Sequence, residues 1–345
     1  MALKTFEINL TNACNFKCNY CIVKNYTGTP IVPNRTILRR FNEFIKYMKN
    51  NCYKDDRLLL KIYGGEPLIY MNELVTLIPL FLRNVPEVTI TTNGSLVRQN
   101  IDNFNKLRSL ASKVDIGVSF DFMAQLENRS YEHYDDCLYG LKWLYEHHFC
   151  STVLSVITPN TIEHMDILFD EFLKVKKELP GLRLRFRLDK TIDFNDIDEE
   201  KVRTGLNKIK TFINNNPEYG NSFRPNNSCG TMTNIDRDCF FGSAVLAVDA
   251  HDGTLYPGYN FRYQPKSIQD MLYIGNINDD FSKIVESRNA LITKIDRKVN
   301  NECIGCNATC CFFPWYGNII TRLEDYNRMP AESHCKIHKL IAEYL

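Results

Sequence analysis

The stretch Cys14-Asn15-Phe16-Lys17-Cys18-Asn19-Tyr20-Cys21 carries three thiols within eight residues, directly after an apolar run at 5–10 that predicts a β-strand. A closed structural zinc site needs four ligands. Three thiolates can instead hold a four-iron cluster and leave one iron open to another molecule. A zinc half-site, a disulfide pair with a spare thiol, and buried cysteines are the alternatives that the spacing leaves open.

Composition restricts the class of protein. The 345 residues carry a net charge of +1, without a run of lysine and arginine that would indicate nucleic-acid binding. No stretch of about 18 apolar residues predicts a membrane span. The chain enters its first strand at once, which leaves no room for a signal peptide. We therefore expect a cytoplasmic protein with neither nucleic acid nor a membrane as its partner.

The cysteines are clustered, and because disulfides do not persist in a reducing compartment, such clusters indicate metal ligation. The clustered cysteines are Cys14, Cys18, Cys21, Cys229, Cys239, Cys303, Cys306, Cys310, Cys311 and Cys335. The isolated ones, Cys52, Cys137 and Cys150, are interpreted as small buried hydrophobic residues.

Six strand–helix repeats predict the fold. The predicted strands are 5–10, 58–63, 88–92, 114–121, 151–157 and 182–188, and the predicted helices between them are 36–51, 72–83, 97–107, 131–148 and 161–179. Thr36 is the expected N-cap of the first helix. Apolar strands alternating with helices indicate an α/β protein with a parallel sheet, and six units suit a partial (β/α)6 barrel.

Four loops should meet at one edge of that barrel, because ligands bind at the C-terminal ends of parallel strands. These are the cysteine stretch, the Gly64-Gly65 loop, the Asn93-Gly94 break and Asp121. A polar helix at 198–214 precedes a region with short extended pieces and most remaining cysteines. We therefore predict a barrel at 1–190, a linker at 191–220 and a small irregular α+β domain at 221–345.

The Cys14, Cys18 and Cys21 spacing, followed one repeat later by Gly64-Gly65-Glu66-Pro67, resembles the radical S-adenosylmethionine (radical SAM) enzymes. The resemblance covers the first two-thirds of the chain. It implies a [4Fe-4S] cluster on the three cysteines, with S-adenosylmethionine on the open iron. It also implies one-electron reduction by a flavodoxin- or ferredoxin-type donor, which yields a 5′-deoxyadenosyl radical that abstracts hydrogen from a substrate.

The same resemblance implies roles for further residues. Residues 64–66 would offer backbone carbonyls and the Glu66 carboxylate to the methionine ammonium. Ser119 and Asp121 look like the ribose-binding pair, although both are also ordinary residues for a strand end. Tyr20 resembles the aromatic residue near the adenine. Asn93 occupies the place of a cofactor loop, with turn formation as its alternative role.

The last third resembles the SPASM extension of peptide-modifying members, which carries auxiliary iron–sulfur clusters. Cys239 and Gly253 match its start, residues 248–257 predict a hairpin, and Gly258 stands where a ligand is expected. By this resemblance Cys303, Cys306, Cys335 and one of Cys310 or Cys311 complete one cluster. Cys229, Cys239 and the other member of the pair leave a second cluster with three thiolates.

Three hypotheses follow for that second cluster: an open iron, a substituted ligand, or loss of the cluster with a spare cysteine as hydrogen donor. The spacing of Cys303, Cys306, Cys310 and Cys335 is also compatible with a zinc ribbon. One or two auxiliary [4Fe-4S] clusters are therefore expected. Cys310 and Cys311 are the candidate catalytic thiols.

These features predict a peptide or protein maturase that forms a thioether or carbon cross-link, or epimerises a residue, in a ribosomal precursor. Because the chain starts at the first barrel strand, a separate leader-recognition protein is the expected partner. The alternatives are a sulfatase-maturating enzyme and a small-molecule radical SAM dehydrogenase. The first is weakened by Tyr259, which stands after Gly258 where that family has an aspartate.

Overall fold

The computed structural model describes residues 3–23, 26, 28, 30–129, 132–189, 194–225, 244–296 and 332–345. Their strands form one sheet in the order β10-β9-β8-β1-β2-β3-β4-β5-β6-β7. The strands are β1 (Leu3–Asn9), β2 (Arg57–Tyr63), β3 (Glu87–Thr92), β4 (Val114–Ser119), β5 (Thr152–Ile157), β6 (Arg183–Leu188), β7 (Phe223–Pro225), β8 (Ala244–Asp249), β9 (Thr254–Tyr256) and β10 (Gly275–Asn276). Strands β1 to β7 pair in parallel, which confirms the predicted parallel α/β sheet.

The helices of the described residues connect these strands and follow the sheet. They are α1 (Arg35–Asn51), α2 (Met71–Phe81), α3 (Ile101–Leu107), α4 (Gln125–Asn128), α5 (Tyr134–Glu146), α6 (Pro159–Glu163), α7 (Met165–Glu178), α8 (Glu199–Asn215), α9 (Lys266–Met271), α10 (Phe281–Asp296) and α11 (Glu332–Tyr344). Alternate strand residues pack on them: Phe6 of β1 makes edge contacts with Phe41 and Phe44 of α1. The opposite face of the strands is therefore free to form the interior of the barrel.

Two predicted helix boundaries are wrong. Helix α1 is capped by Asn34, whose side-chain oxygen accepts from the backbone N–H of Thr36 and Ile37, so Thr36 lies inside the helix. The predicted helix at 161–179 is two helices that break at His164, because the Thr158 hydroxyl caps a separate short helix beginning at Pro159.

The C-terminal strands extend the barrel sheet. Strand β8 pairs in parallel with β1, and its partner β9 is antiparallel, which confirms the hairpin predicted at 248–257. The sheet thus runs on past the predicted boundary near residue 220, and the division into three domains stays a prediction. Within the described residues, no helix has both the length and the apolar character to span a membrane.

Candidate functional site

One cavity opens at the C-terminal ends of strands β1 to β6, where the sequence predicts the site. The cysteine loop forms one wall, and the ends of β2, β3 and β4 form the next. The lining residues that the sequence predicted are Cys14, Cys18, Tyr20, Cys21, Gly64, Gly65, Asn93 and Ser119. The structure therefore brings together most of the site residues that were predicted in the barrel in a single cavity.

The cysteine loop is held from outside by the segment after β4. The backbone N–H of Asn19 donates to the Asn128 carbonyl at 2.9 Å, and its side chain donates to the Glu127 carbonyl at 2.9 Å. Phe16 stacks on His133 with ring centroids 5.1 Å apart. These contacts orient Cys18, which lies between Phe16 and Asn19 in sequence, toward the interior.

The three thiols are free. Burial raises the pKa of the Cys18 thiol to about 11, and the positive charge of Arg129 acts in the opposite direction. Without iron this thiol is therefore protonated at neutral pH, and metal binding must release its proton.

The two glycines after β2 allow the cysteine loop to pack closely on them. A Cβ at Gly64 would lie 2.5 Å from the Thr11 carbonyl oxygen, and one at Gly65 would lie 2.2 Å from that of Ala13. The Gly65 N–H donates to the Thr11 carbonyl at 2.6 Å. The close approach that requires glycine is thus to the protein's own loop, while both residues also line the cavity.

We expect Gly65→Ala to displace the cysteine loop, because the added Cβ would overlap the backbone of Ala13. Overpacking of this kind costs about 1–3 kcal/mol, and iron incorporation should fall with it. Iron content after reconstitution and urea unfolding measure both effects. Gly205→Ala is the matched control, since a Cβ there meets its nearest atom at 3.6 Å. Equal iron content in the two variants would contradict the steric role of Gly65.

The structure places the Glu66 carboxylate outside the cavity wall, and its role toward the methionine ammonium stays a prediction. Glu66 is fully buried, and its oxygens accept from the Leu68 N–H at 2.9 Å, the Thr92 hydroxyl at 2.6 Å and the Asn93 N–H at 2.7 Å. Burial raises the pKa of Glu66, and these hydrogen bonds oppose the shift. Glu66 therefore ties the end of β2 to the end of β3 and is not part of the cavity wall.

Asn93 joins the turn after β3 to the cysteine loop. Its side-chain amide donates to the Asn15 oxygen at 2.9 Å, and its oxygen accepts from the Ser95 N–H at 2.9 Å. Gly94 adopts a φ of +81°, which favours glycine at this turn. Asn93 thus shapes the turn, as the alternative interpretation held, and it also contacts the cavity.

The predicted pair of Ser119 and Asp121 is divided by the structure. Ser119 lines the cavity, whereas Asp121 is fully buried and is not part of the wall. One Asp121 oxygen accepts from the Tyr20 hydroxyl and, at 2.9 Å, from Arg129 Nε; the other accepts from the Val156 N–H at 2.9 Å. All of these contacts are to protein groups, so Asp121 fixes Tyr20 and Arg129 in place.

Several residues of the cavity wall were missed by the sequence analysis. They are mainly cationic and aromatic side chains from β2, β5, β6, the end of α4 and the segment after β9: Tyr63, Arg129, Ser155, Arg185, Arg187, Tyr259 and Asn260. The alternation of arginine with apolar residues along Arg183–Leu188 is the signal that could have predicted the β6 wall.

The residues at the cavity fit a cluster with a bound cofactor. Three free thiols share one wall with a glycine backbone, a serine and a buried arginine. Within the described ranges, no three ligating side chains converge on one ion. A four-iron cluster takes one thiolate per iron and needs no such convergence.

Most of the predicted auxiliary ligands lie outside the residues that the structure describes. Residues 229, 239, 303, 306, 310 and 311 are outside the described residues, as is the side chain of residue 335. Their ligand roles, and the predicted donor role of Cys310 and Cys311, stay predictions.

Comparison with known proteins supports the same cofactor chemistry. Residues 8–172 match the model of the radical SAM superfamily. GTP 3′,8-cyclase of Pasteurella multocida is 23% identical over 185 residues, which are 52% of this chain and 51% of the cyclase. This chain therefore spans about half the length of that curated relative.

Two solved structures share the fold. Native anSMEcpe with bound AdoMet and Cp18Cys peptide has a TM-score of 0.67 at 18% identity, over 99% of this chain and 96% of that one. SuiB of Streptococcus suis bound to S-adenosylmethionine has a TM-score of 0.64 at 16% identity, over 97% and 77%. The superfamily match covers the cysteine loop and the ends of strands β1 to β5, and it identifies residues 8–172 as a radical SAM domain.

Proposed function

We propose that this enzyme is a maturase that removes a hydrogen atom from a residue of a ribosomally made peptide or protein. The observation that carries the proposal is the match of nearly the whole chain to the fold of anSMEcpe, which was solved with bound peptide. The curated relative, in contrast, matches over only about half of this chain. Thioether formation, carbon cross-linking and epimerisation are the outcomes that this chemistry allows.

Different residues of the cavity would bind the cluster and S-adenosylmethionine. Cys14, Cys18 and Cys21 would hold the cluster, and the backbone at Gly64 and Gly65 would receive the methionine end of S-adenosylmethionine. When bound, this pair of cofactors supplies a 5′-deoxyadenosyl radical after one-electron reduction. The protein's own contribution is to orient the target carbon and to exclude water from the barrel interior.

Ser119 and Arg129 complete the cofactor side of the cavity. Ser119 offers a hydroxyl to the ribose of S-adenosylmethionine. Arg129 offers a guanidinium, whose planar donors match the carboxylate of the same cofactor. Asp121 holds Arg129 at 2.9 Å, so the guanidinium is positioned before any ligand arrives. Tyr20, whose hydroxyl donates to Asp121, presents its ring at the adenine end.

The auxiliary clusters, the separate leader-recognition protein, the flavodoxin- or ferredoxin-type electron donor and the cytoplasmic location belong to this proposal. One or two additional [4Fe-4S] clusters on the C-terminal cysteines would give about eight or twelve irons per chain in total. About four irons together with bound zinc would contradict the auxiliary clusters and favour the zinc ribbon.

A second candidate function acts on a nucleotide, and the sequence match to GTP 3′,8-cyclase favours it. The sulfatase-maturating alternative is weakened by Tyr259. Its ring stacks on Tyr63 with centroids 4.0 Å apart, so it does not offer the carboxylate base of that family.

We expect the anaerobically reconstituted and reduced protein to cleave S-adenosylmethionine to 5′-deoxyadenosine without any substrate. Chromatography with mass detection measures the product. Absence of 5′-deoxyadenosine at full iron loading would refute the radical mechanism. Precursor peptides and GTP are then compared as substrates: an altered peptide mass supports the maturase, and consumption of GTP supports the nucleotide enzyme.

A further inference from the structure

Strand β6 carries three arginines on one face, and two of them line the cavity of the barrel. Arg183, Arg185 and Arg187 alternate with the buried residues Leu184, Phe186 and Leu188. Because successive side chains of a strand point to opposite faces, the three arginines share one face. Arg185 and Arg187 line the cavity described above, whereas Arg183 lines a separate cavity near Asp115 and Cys150.

Arg187 differs from Arg129 and Arg262 in its partners. Arg129 and Arg262 each form an ion pair with a buried aspartate. Arg187 forms no ion pair with a described carboxylate; although burial would lower its pKa, Tyr259 and Tyr63 raise it. More than a third of its surface stays accessible, and that surface faces the cavity. It therefore lines the cavity without an ion pair to a described carboxylate, and the Asp189 carboxylate lines the same cavity.

Tyrosine packing holds this cation in position. The Tyr259 side chain lies close enough to Arg187 to raise the pKa of the guanidinium, and the Tyr259 ring stacks on Tyr63. The backbone of Tyr259 is itself anchored, since its N–H donates to Glu7 at 2.9 Å and its carbonyl accepts from Asn9 at 3.0 Å. A guanidinium has five N–H donors, so one contact to Tyr259 leaves others for a ligand.

Among the neutral buried polar atoms of the same cavity, two lack a hydrogen-bond partner in the described residues. They are the side-chain oxygen of Asn260, whose residue is 4% exposed, and the hydroxyl of Ser155, whose residue is 1% exposed. Buried polar atoms are nearly always hydrogen-bonded in folded proteins. The Asn260 oxygen can only accept a hydrogen bond, and an amide N–H of a peptide is a matching donor.

We propose that Arg187, with Arg185 and Asn260, forms a substrate subsite that binds the carboxylate of an acidic residue in the peptide and an adjacent backbone amide. The proposal rests on the proposed function, because it assigns the substrate of the same cavity. Arg129 already supplies a paired cation on the cysteine side, near Cys18. A peptide carboxylate with a neighbouring N–H satisfies both Arg187 and Asn260, whereas a fully ionised phosphate ester has no donor for the Asn260 oxygen.

The experiment measures binding of two small probes, the α-amides of N-acetyl-glutamate and N-acetyl-glutamine, by ligand-observed NMR. The reconstituted protein is kept oxidised with saturating S-adenosylmethionine, so that the cofactor's own site is filled and no turnover occurs. We expect the glutamate probe to bind about 10- to 100-fold more tightly, the effect of a hydrogen bond to a charged group. Arg187→Gln should abolish this preference.

Arg183→Gln is the matched control, because it removes a charge from the same strand and face outside the cavity, and it should keep the preference. Arg187→Lys keeps the positive charge and should retain part of the preference for glutamate. This variant tests the subsite if Arg187→Gln does not fold. Equal binding of the two probes by the wild type, or an unchanged preference in Arg187→Gln, would overturn the subsite. Binding of inorganic phosphate in place of the glutamate probe would overturn the carboxylate assignment. If the glutamate preference is absent but 5′-deoxyadenosine still forms, the subsite is wrong and the radical mechanism stands. If the preference is present but no 5′-deoxyadenosine forms, the radical mechanism is wrong and the subsite stands.

Discussion

Replacing Cys18 with alanine is expected to remove about four irons per chain and to abolish formation of 5′-deoxyadenosine. Cys18 lies in the wall of the cavity with Cys14 and Cys21, and these are the three thiols that the described part of the chain offers there. Two remaining thiolates cannot hold a four-iron cluster stably, so no partial activity should survive. Iron and sulfide analysis of the reconstituted protein, with chromatography of the nucleoside product, measures both effects.

Cys52→Ala is the matched control for this variant. The prediction that Cys52 is buried is wrong: it is an exposed free cysteine at the end of α1 and is not part of the cavity wall. Its replacement should leave iron content and product formation unchanged. If Cys18→Ala retains the wild-type iron content and still cleaves S-adenosylmethionine, the assignment of the cluster to the cysteine loop is wrong.

The second large effect is expected on stability, from Asp121→Asn. Asp121 is fully buried and pairs with Arg129, whose side chain is 7% exposed. Removal of one partner leaves the other charge buried without compensation, which costs about 3–5 kcal/mol. The asparagine also offers an N–H₂ group where Tyr20 and Arg129 both donate. Urea unfolding of the cluster-free protein measures the loss.

An exposed ion pair provides the comparison for Asp121. Asp136 lies 3.9 Å from Arg98, and their side chains are 46% and 60% exposed. Solvent screens such a pair, so Asp136→Asn should change the free energy of unfolding by less than about 1 kcal/mol. A cost for Asp121→Asn no larger than that of Asp136→Asn would show that the buried pair does not hold Tyr20 and Arg129.

Much of the architecture could be predicted because it depends on local patterns. The alternation of apolar strands with amphipathic helices predicts the parallel order of β1 to β6, and the glycine-containing turn at 248–257 predicts the β8–β9 hairpin. Helix ends were less predictable, since Asn34 and Thr36 are both good capping residues and only the backbone geometry distinguishes them. The pairing of β8 with β1 joins residues far apart in the sequence, which no local pattern reveals.

Some features of the candidate site could likewise be predicted from the sequence, and others could not. The spacing of Cys14, Cys18 and Cys21, and their place after the first strand, follow from the sequence, because ligand type and spacing are local properties. The environment of Glu66 and Asp121 does not follow from the sequence. Their carboxylates accept hydrogen bonds from the ends of other strands, and both lie outside the cavity wall.

The position of Arg187 in the cavity wall could not be predicted from the sequence either. On the sequence Arg187 is one of several arginines in an alternating strand. In the folded protein the barrel turns that strand face inward and packs Tyr259 against the guanidinium. Chemical type is a property of each residue, but burial and pairing depend on neighbours that the chain brings together only when it folds.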